Sequence, residues 1–139
     1  MVGKITDNFN WYECYNSNAN GYKYFDLQFY DNVLQLSKML EELREYTGEP
    51  INVDSWYRPV YYNDVVMPRK GYHTSTRSDH KLASAIDTSI NPTVGVINKW
   101  KSICNIYEVS YSIGVYDWGM HLGFRNDLGN RQWTQDWYK

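Results

Sequence analysis

The stretch Ser78-Asp79-His80-Lys81-Leu82-Ala83-Ser84-Ala85-Ile86-Asp87 joins an irregular segment to an alternating one and places a histidine seven residues before an aspartate. Residues 60–79 lack periodicity and predict a long loop, a feature that is usually functional in a small domain. Residues 82–90 alternate in character and predict a β-strand. An extended segment with a bend can bring the side chains of His80 and Asp87 to one point.

Two helices are predicted around this stretch. Residues 26–47 repeat apolar side chains at steps of three and four, and Gly48 with Pro50 ends the helix. Its inward side chains are expected to be Val33, Leu36, Leu40 and Leu43. The second helix begins after Asn91-Pro92, a cap followed by a first-turn proline. Its inward side chains are expected to be Val94, Ile97, Trp100 and Ile103.

The remaining strands set the fold class. Residues 51–57 alternate and predict a strand that ends at Arg58-Pro59. Two further strands are expected near residues 107–111 and 113–124, followed by an aromatic tail. This order of helices and strands is typical of an α+β fold with a small, mainly antiparallel sheet and helices packed on it.

Length and composition indicate one domain over residues 1–139, in which residues 1–24 form an irregular segment packed by aromatic side chains. The net charge is −2 and basic residues form no stripe, so nucleic acid and membrane are not expected partners. The 14 tyrosines and 6 tryptophans suit a cleft that binds sugar or peptide, and equally the half-polar layers of a small core. We expect a monomer.

The N-terminal residues contain no apolar core of a secretory signal, and no stretch approaches the roughly 18 apolar residues of a membrane helix. We therefore expect a protein that is made in the cytoplasm and delivered elsewhere by another agent. Cys14 and Cys104 are the only cysteines and are expected to be buried thiols, with one disulfide as the alternative.

The chain has three histidines, His73, His80 and His121. Catalytic zinc sites use three ligands of the histidine and carboxylate types and leave one position open. Two neutral imidazoles and one carboxylate leave the ion positive, so that it can acidify water and polarise a carbonyl. The spacing of His80 and Asp87 is weak evidence alone, because such pairs occur by chance in many proteins.

The opening stretch resembles the Ser-x-His-x-x-Gly-x-Ala-x-Asp signature of the zinc D-Ala-D-Ala carboxypeptidases and related phage endolysins, including the L-alanyl-D-glutamate type. The same hedgehog/DD-peptidase clan holds vancomycin-resistance dipeptidases and the hedgehog signalling domain. Ser55-Trp56-Tyr57-Arg58 resembles the family's Ser-Gly-Tyr-Arg segment, and Ile113-Gly114-Val115-Tyr116-Asp117-Trp118-Gly119-Met120-His121 resembles its Gly-x-Tyr…His strand. The resemblance covers roughly residues 25–134.

The resemblance implies roles for individual residues. His80, Asp87 and His121 would bind zinc. Arg58 would lie beside the metal and bind the substrate carbonyl or the developing oxyanion, with a surface salt bridge as the alternative role. Ser78 would orient the ligand loop or the substrate.

This chain departs from the family pattern at three positions, one of which is Gly123, where many short relatives have an aspartate two residues after the last histidine. Ala83 replaces the usual glycine, a change that a strand tolerates. Trp118 stands three residues before His121, where many relatives have an acid. Asp117 is the nearest carboxylate, and residues four apart on a regular strand point to the same side, so Asp117 is the candidate general base. A turn-forming aspartate without a catalytic part is the alternative.

Two residues near the ligand stretch have open roles. His73 is expected either to contact substrate at the rim of the site or to be a solvent-exposed loop histidine. Asp79 is expected either to support the neighbouring ligand His80 through a hydrogen bond or to be solvated.

The expected function is a zinc-dependent peptidase that hydrolyses peptide bonds of bacterial peptidoglycan, as a carboxypeptidase or an endopeptidase. It would act at the cell wall, either released across the membrane like a phage lysin or as a virion component. The first alternative is a non-catalytic zinc-binding structural or wall-binding module, which Trp118 favours. The second is a glycan-binding domain in which zinc is only structural.

Overall fold

The computed structural model describes residues 3–16, 26–126 and 128–135. Over these ranges the chain forms an α+β fold with a two-stranded and a four-stranded sheet, which confirms the predicted class. The elements are β1 (Lys4–Thr6), β2 (Phe9–Asn10), α1 (Trp11–Asn16), α2 (Tyr30–Thr47), α3 (Met67–Arg69), β3 (Ala85–Thr88), α4 (Val94–Ile106), β4 (Ser110–Val115), β5 (Met120–Arg125) and β6 (Arg131–Thr134). Short 3₁₀ turns cover Leu27–Phe29 and Asp79–Leu82, and a π-helical turn covers Tyr62–Val66.

The four-stranded sheet has the order β3-β5-β4-β6 and is mainly antiparallel. β5 runs antiparallel to both of its neighbours, and β6 runs parallel to β4. The register places Asp87 of β3 directly opposite His121 of β5. Directly opposed residues have Cβ atoms about 4.5–5.5 Å apart, so the sheet itself brings these two side chains together.

Helix α2 confirms the predicted amphipathic pattern, because Val33, Leu36, Leu40 and Leu43 are all buried. It ends where predicted, at Gly48, whose left-handed conformation and backbone bond to Arg44 form a C-cap. α2 packs against α4, and α4 packs against β4. The apolar faces of the two helices therefore share one core with the sheet.

Helix α4 begins two residues later than the Asn91-Pro92 cap predicts. Thr93 is the N-cap, and its hydroxyl accepts a hydrogen bond from the backbone of Val96. Val94 was expected to point inward but is 74% exposed, and Val96 is buried instead. The inward positions Trp100 and Ile103 are confirmed.

The predicted strand over residues 51–57 is wrong in its extent. Only Ser55 forms a bridge, to Asp87 of β3, through the bond from the Asp87 amide to the Ser55 carbonyl. The Asp54 amide donates to the Asp87 carbonyl, so the segment lies along β3 without forming a full ladder. This alignment places residues 55–58 beside the start of residues 78–87, the stretch that contains His80 and Asp87.

The predicted loop over residues 60–79 contains the π-helical turn and α3. Pro68 suggested a break, but it lies in α3, which continues directly from the π-helical turn, so that residues 60–69 are helical without interruption. Asn63 is fully buried in the π-helical turn and ties the segment together, donating to the Ser75 carbonyl and accepting at its own carbonyl from Thr74.

The two strands predicted near residues 107–111 and 113–124 are also wrong, because the boundary between them lies at a different place in the structure. β4 and β5 form a hairpin whose connection spans residues 116–119, where the Tyr116 amide donates to the Gly119 carbonyl. The expected aromatic tail contains β6, which no local pattern predicts because its partner β4 lies well before it in the chain.

The first residues are more regular than expected. Residues 3–16 form β1, β2 and α1, so the irregular segment predicted over residues 1–24 is wrong in this part, and residues 17–25 lie outside the described residues. Cys14 and Cys104 are buried free thiols, as predicted. No helix in the described ranges is both long enough and apolar enough to cross a membrane.

Candidate metal centre

Three predicted ligands converge at one point from three elements. His80 comes from the 3₁₀ turn, Asp87 from β3 and His121 from β5. His80 Nε2 lies 3.2 Å and His121 Nδ1 lies 3.4 Å from the same oxygen, Asp87 Oδ1. The three ligand atoms all lie within 4.8 Å of one another, so this group can hold a metal ion.

The hydrogen bonds of His80 favour a cation at this point. His80 Nδ1 lies 2.7 Å from the backbone carbonyl of Trp56, which can only accept, so Nδ1 carries the proton. Burial, reinforced by the charge of Arg58, lowers the pKa of His80 to about 4, so the ring is neutral at pH 7. Its Nε2 lone pair then faces a carboxylate oxygen, Asp87 Oδ1. Two acceptors in contact repel each other unless a cation lies between them.

His121 is fixed from the opposite side. Its Nε2 lies 3.0 Å from Ser112 Oγ on β4, which leaves Nδ1 directed at Asp87. Burial lowers the pKa of His121, but the negative charges of the neighbouring Asp79 and Asp87 outweigh burial and raise it. Orientation of a ligand imidazole by a polar group behind it is a regular feature of metal sites.

Arg58 lies beside the centre, as the motif implied. Its Nη2 donates to Asp87 Oδ2 at 2.7 Å, and its Nε donates to Ser55 Oγ at 3.0 Å. The pair is buried rather than a surface salt bridge. Burial raises the pKa of Asp87, but His80, His121 and Arg58 outweigh it and hold that pKa well below its usual range. The carboxylate is therefore ionised, and Arg58 occupies the oxygen that faces away from the two imidazoles.

An open cavity of about 840 Å³ adjoins the three ligands. Ser78 lines it, and the Ser78 hydroxyl accepts a hydrogen bond from the His80 amide at 3.3 Å, which caps the turn that carries the ligand. His73 is exposed and lies on the cavity wall, which agrees both with a residue at the rim and with a solvent-exposed loop histidine. Ser78 and His73 therefore both adjoin the cavity.

Asp117 lines the same cavity, but the strand reasoning behind its selection is wrong. It lies in the turn between β4 and β5, outside both strands, and its amide donates to Gln135 Oε1 at 2.9 Å. Asp54 is a second exposed carboxylate on the cavity wall, and sequence analysis missed it. Its place directly before the Ser55-Trp56-Tyr57-Arg58 motif was the available signal.

Asp79 lies near His121 rather than its neighbour His80, at a distance beyond that of a hydrogen bond. The side chain is 2% exposed, Arg125 donates to its Oδ1 at 3.2 Å, and its Oδ2 lies 3.9 Å from His121 Nε2. Burial raises the pKa of Asp79, but His121, Ser112 and Arg125 outweigh it and lower that pKa. The expectation of a solvated Asp79 is therefore wrong.

Ala83 differs from its predicted place in a strand. It ends the 3₁₀ turn in the left-handed conformation, with φ 57° and ψ 24°. That conformation costs an L-residue about 1 kcal/mol or more, and glycine avoids the cost because it has no Cβ. The glycine of the resembling signature thus falls at a position where this chain turns sharply between His80 and Asp87.

No family model matches this chain, and no curated protein and no solved structure resembles it at a significant level. The family resemblance of the three sequence motifs therefore stays a prediction. The convergence of His80, Asp87 and His121 beside an open cavity is the observation on which a function can be based.

Proposed function

We propose that this protein is a zinc-dependent peptidase that hydrolyses peptide bonds of bacterial peptidoglycan. The observation that carries the proposal is the convergence of two imidazole nitrogens and one carboxylate oxygen beside an open cavity. The order of the three motifs, which resembles that of the zinc D-Ala-D-Ala carboxypeptidases and phage endolysins, supports the peptide substrate.

The donor set fits zinc. Tetrahedral zinc takes nitrogen and carboxylate ligands at about 2.0–2.2 Å, so two of its ligand atoms lie about 3.3 Å apart. The contacts of Asp87 Oδ1 with His80 Nε2 and His121 Nδ1 measure 3.2 and 3.4 Å and match this spacing, and the whole group spans no more than 4.8 Å. When bound by such a set, zinc supplies a Lewis acid that polarises a carbonyl and acidifies water.

The chain's own residues would supply the remaining functions. Arg58 holds the Asp87 carboxylate and presents its guanidinium to the cavity, where it can bind a substrate oxygen as charge develops on it. Asp117 and Asp54 are exposed carboxylates on the wall, and either can accept the proton of the attacking water and return it to the leaving amine. Ser78 and His73 are placed to contact the peptide.

The test combines metal analysis with digestion of purified peptidoglycan. The native protein should bind one zinc per chain and release new amino groups from the polymer, and a chelator should abolish the release. Asp87→Asn should lose both properties. Asp31→Asn, an exposed aspartate of α2, is the matched control and should keep both. A native protein that binds no zinc would contradict the proposal.

A non-catalytic zinc module is the second candidate, and Trp118 favours it. This residue stands where the resembling family has an acid, and its side chain is 49% exposed in the turn between β4 and β5. A module of this kind would bind one zinc with the same three ligands and would leave purified peptidoglycan intact.

The proposed site of action is the bacterial cell wall, reached either by release through a membrane partner or as part of a virion. The proposed working form is a monomer, in which one chain supplies the three ligands and the cavity wall. Light scattering of the zinc-loaded protein during digestion measures that state directly.

A further inference from the structure

An exposed aromatic stack stands on the wall of the metal cavity. The rings of Tyr116 and Trp118 lie 4.7 Å apart at an interplanar angle of 11°. Trp118 is 49% exposed, and both residues line the cavity that the three metal ligands adjoin. The stack covers one side of the indole, and half of the Trp118 surface remains open to solvent.

Contacts with β6 and the closed turn hold the stack in place. Trp133 of β6 donates from its Nε1 to the Tyr116 hydroxyl at 2.6 Å. Trp133 itself lies against Gly114, where an added Cβ would come within 2.7 Å of its ring. The Tyr116 amide donates to the Gly119 carbonyl, which closes the turn. An aromatic surface fixed in this way loses little conformational freedom when a ligand binds.

The cavity that holds the stack is also lined by polar groups. The Asp117 backbone amide donates to Gln135 Oε1, and the Arg131 guanidinium lies 4.4 Å from the Trp133 ring centre. Asp117, Gln135 and Arg131 all line the cavity. An apolar protein partner would exclude water from these carboxylate, amide and guanidinium groups, so it is not suited to this cavity.

A sugar ring has the matching chemistry. The C–H bonds on one face of a pyranose carry a slight positive charge and pack against the negative face of an indole. The hydroxyl groups at the edge of the ring donate and accept hydrogen bonds, as carboxylate, amide and guanidinium groups require. The aromatic face can therefore contact the C–H face of a saccharide, and the polar groups of the cavity can bind its hydroxyl groups.

We propose that the exposed face of Trp118 is a saccharide subsite, so that the protein takes a stem peptide still attached to its glycan strand. The subsite and the metal ligands line one cavity, which lets a single substrate contact both. The choice of the peptidoglycan glycan as the ligand rests on the proposed function. The binding of sugar to Trp118 needs no metal and no hydrolysis.

The binding test uses protein treated with a chelator and a tetramer of β-1,4-linked N-acetylglucosamine, followed by calorimetry. The native protein should bind the tetramer, and Trp118→Ala should weaken binding about tenfold or more, the usual loss on truncating an aromatic anchor. Trp118→Phe keeps a flat ring and should retain most of the affinity. Tyr12→Ala removes an aromatic side chain that is 65% exposed outside the cavity and should bind as the native protein does. Binding that is absent in the native protein, or equal in Trp118→Ala, overturns the proposal.

The cleavage test compares one stem peptide in two forms, free and attached to a disaccharide, with the zinc-loaded protein. The native protein should show a higher kcat/KM for the attached form, and Trp118→Ala should lose that preference through a higher KM for the attached form. Cleavage of both forms at one rate with no tetramer binding overturns the subsite and leaves the peptidase. Tetramer binding that depends on Trp118 with cleavage of neither form supports the subsite and contradicts the peptidase.

Discussion

At the scale of single residues, the two candidate ligand imidazoles are held by different means. His80 donates to a backbone carbonyl, that of Trp56, whereas His121 contacts the side chain of Ser112. Asp87 lies between them, and Arg58 binds its outer oxygen. Each ligand thus has a fixed orientation before any metal binds, which lowers the entropic cost of binding the ion.

Arg58 should affect the metal as well as the substrate, because it binds the ligand Asp87 directly. Arg58→Ala should weaken zinc binding by about 10–100-fold, the usual effect of removing a partner of a metal ligand. Turnover at saturating zinc should fall by about 10²-fold if the guanidinium also binds the oxyanion. Competition with a chromogenic chelator measures the first effect and peptide hydrolysis the second. Arg69→Ala, an exposed arginine of α3, serves as the control. An unchanged zinc affinity would show that the buried ion pair does not support the metal.

The general base is decided by comparing two conservative variants. Asp117→Asn and Asp54→Asn should both keep one zinc, since neither residue belongs to the ligand group. The variant that removes the base should lose about 10²–10⁴-fold in hydrolysis, and the other should stay near the native rate. Near-native hydrolysis by both variants would remove both carboxylates from the mechanism. Full zinc binding without any native hydrolysis would favour the non-catalytic module.

Zinc affinity should fall in two stages as the pH is lowered, because a protonated imidazole cannot bind the ion. The carboxylates near His121 raise its pKa above the usual value, so protons compete there first and affinity drops about tenfold per pH unit. Burial keeps the pKa of His80 at about 4, so a second proton adds to the slope only near that pH. Zinc titrations between pH 4 and pH 8 measure the slope. A slope of two protons near pH 6 would contradict the difference between the two histidines.

At the scale of elements, the sequence predicts what local chemistry controls. The apolar repeat of α2 and its glycine stop predict that helix to its last residue, Thr47. β6 has no such signal, since Arg131–Thr134 becomes a strand only by pairing with β4. The turn of the β4–β5 hairpin was missed because the predicted strand over residues 113–124 runs through residues 116–119, which form that turn.

The same limit applies to the candidate site. Ligand residues could be chosen because three motifs, in the same order, resemble those of the zinc D-Ala-D-Ala carboxypeptidases and phage endolysins. Asp79 and Ser112 could not be assigned to His121, since the contacts join elements that are far apart in the chain. The role of Asp117 was argued from strand geometry that the hairpin turn does not have.

Gly119 should be essential to the packing of the hairpin on β3. A Cβ at this position would collide with the backbone carbonyl oxygen of Thr88, which cannot move without displacing β3. Gly119→Ala should therefore destabilise the protein by about 1–3 kcal/mol, the usual cost of overpacking, as measured by urea unfolding. Gly129→Ala is the matched control, because an added Cβ there meets no heavy atom within 4 Å in the described part of the chain. Equal stability of the two variants would contradict the close packing.

At the scale of the whole molecule, the candidate site joins parts of the fold that are otherwise separate. His80 belongs to a turn after the long segment 60–79, and Asp87 and His121 belong to neighbouring strands. An ion bound by all three would bind the folded chain far better than the unfolded one, so metal binding adds to the free energy of unfolding.

Zinc should raise the melting temperature of the native protein. At a free zinc concentration 100 times the Kd, the added stability is about 2.7 kcal/mol. Calorimetry with and without a chelator measures the shift in Tm. Asp87→Asn should show a much smaller shift, and a shift equal to that of the native protein would mean that zinc binds elsewhere.

The backbone carbonyl that orients His80 has a consequence for mutational tolerance. Every amino acid provides the same carbonyl, so a substitution at position 56 leaves the acceptor of His80 in place, even though it removes the buried bond from the Trp56 Nε1 to the Ala83 carbonyl. Position 112 has no such freedom, because only a hydroxyl of the right length reaches His121 Nε2. A saturation library screened for zinc retention should keep zinc in those Trp56 variants that fold and in almost no Ser112 variant besides threonine. One imidazole is thereby protected against sequence drift by the main chain, and the other depends on a single side chain.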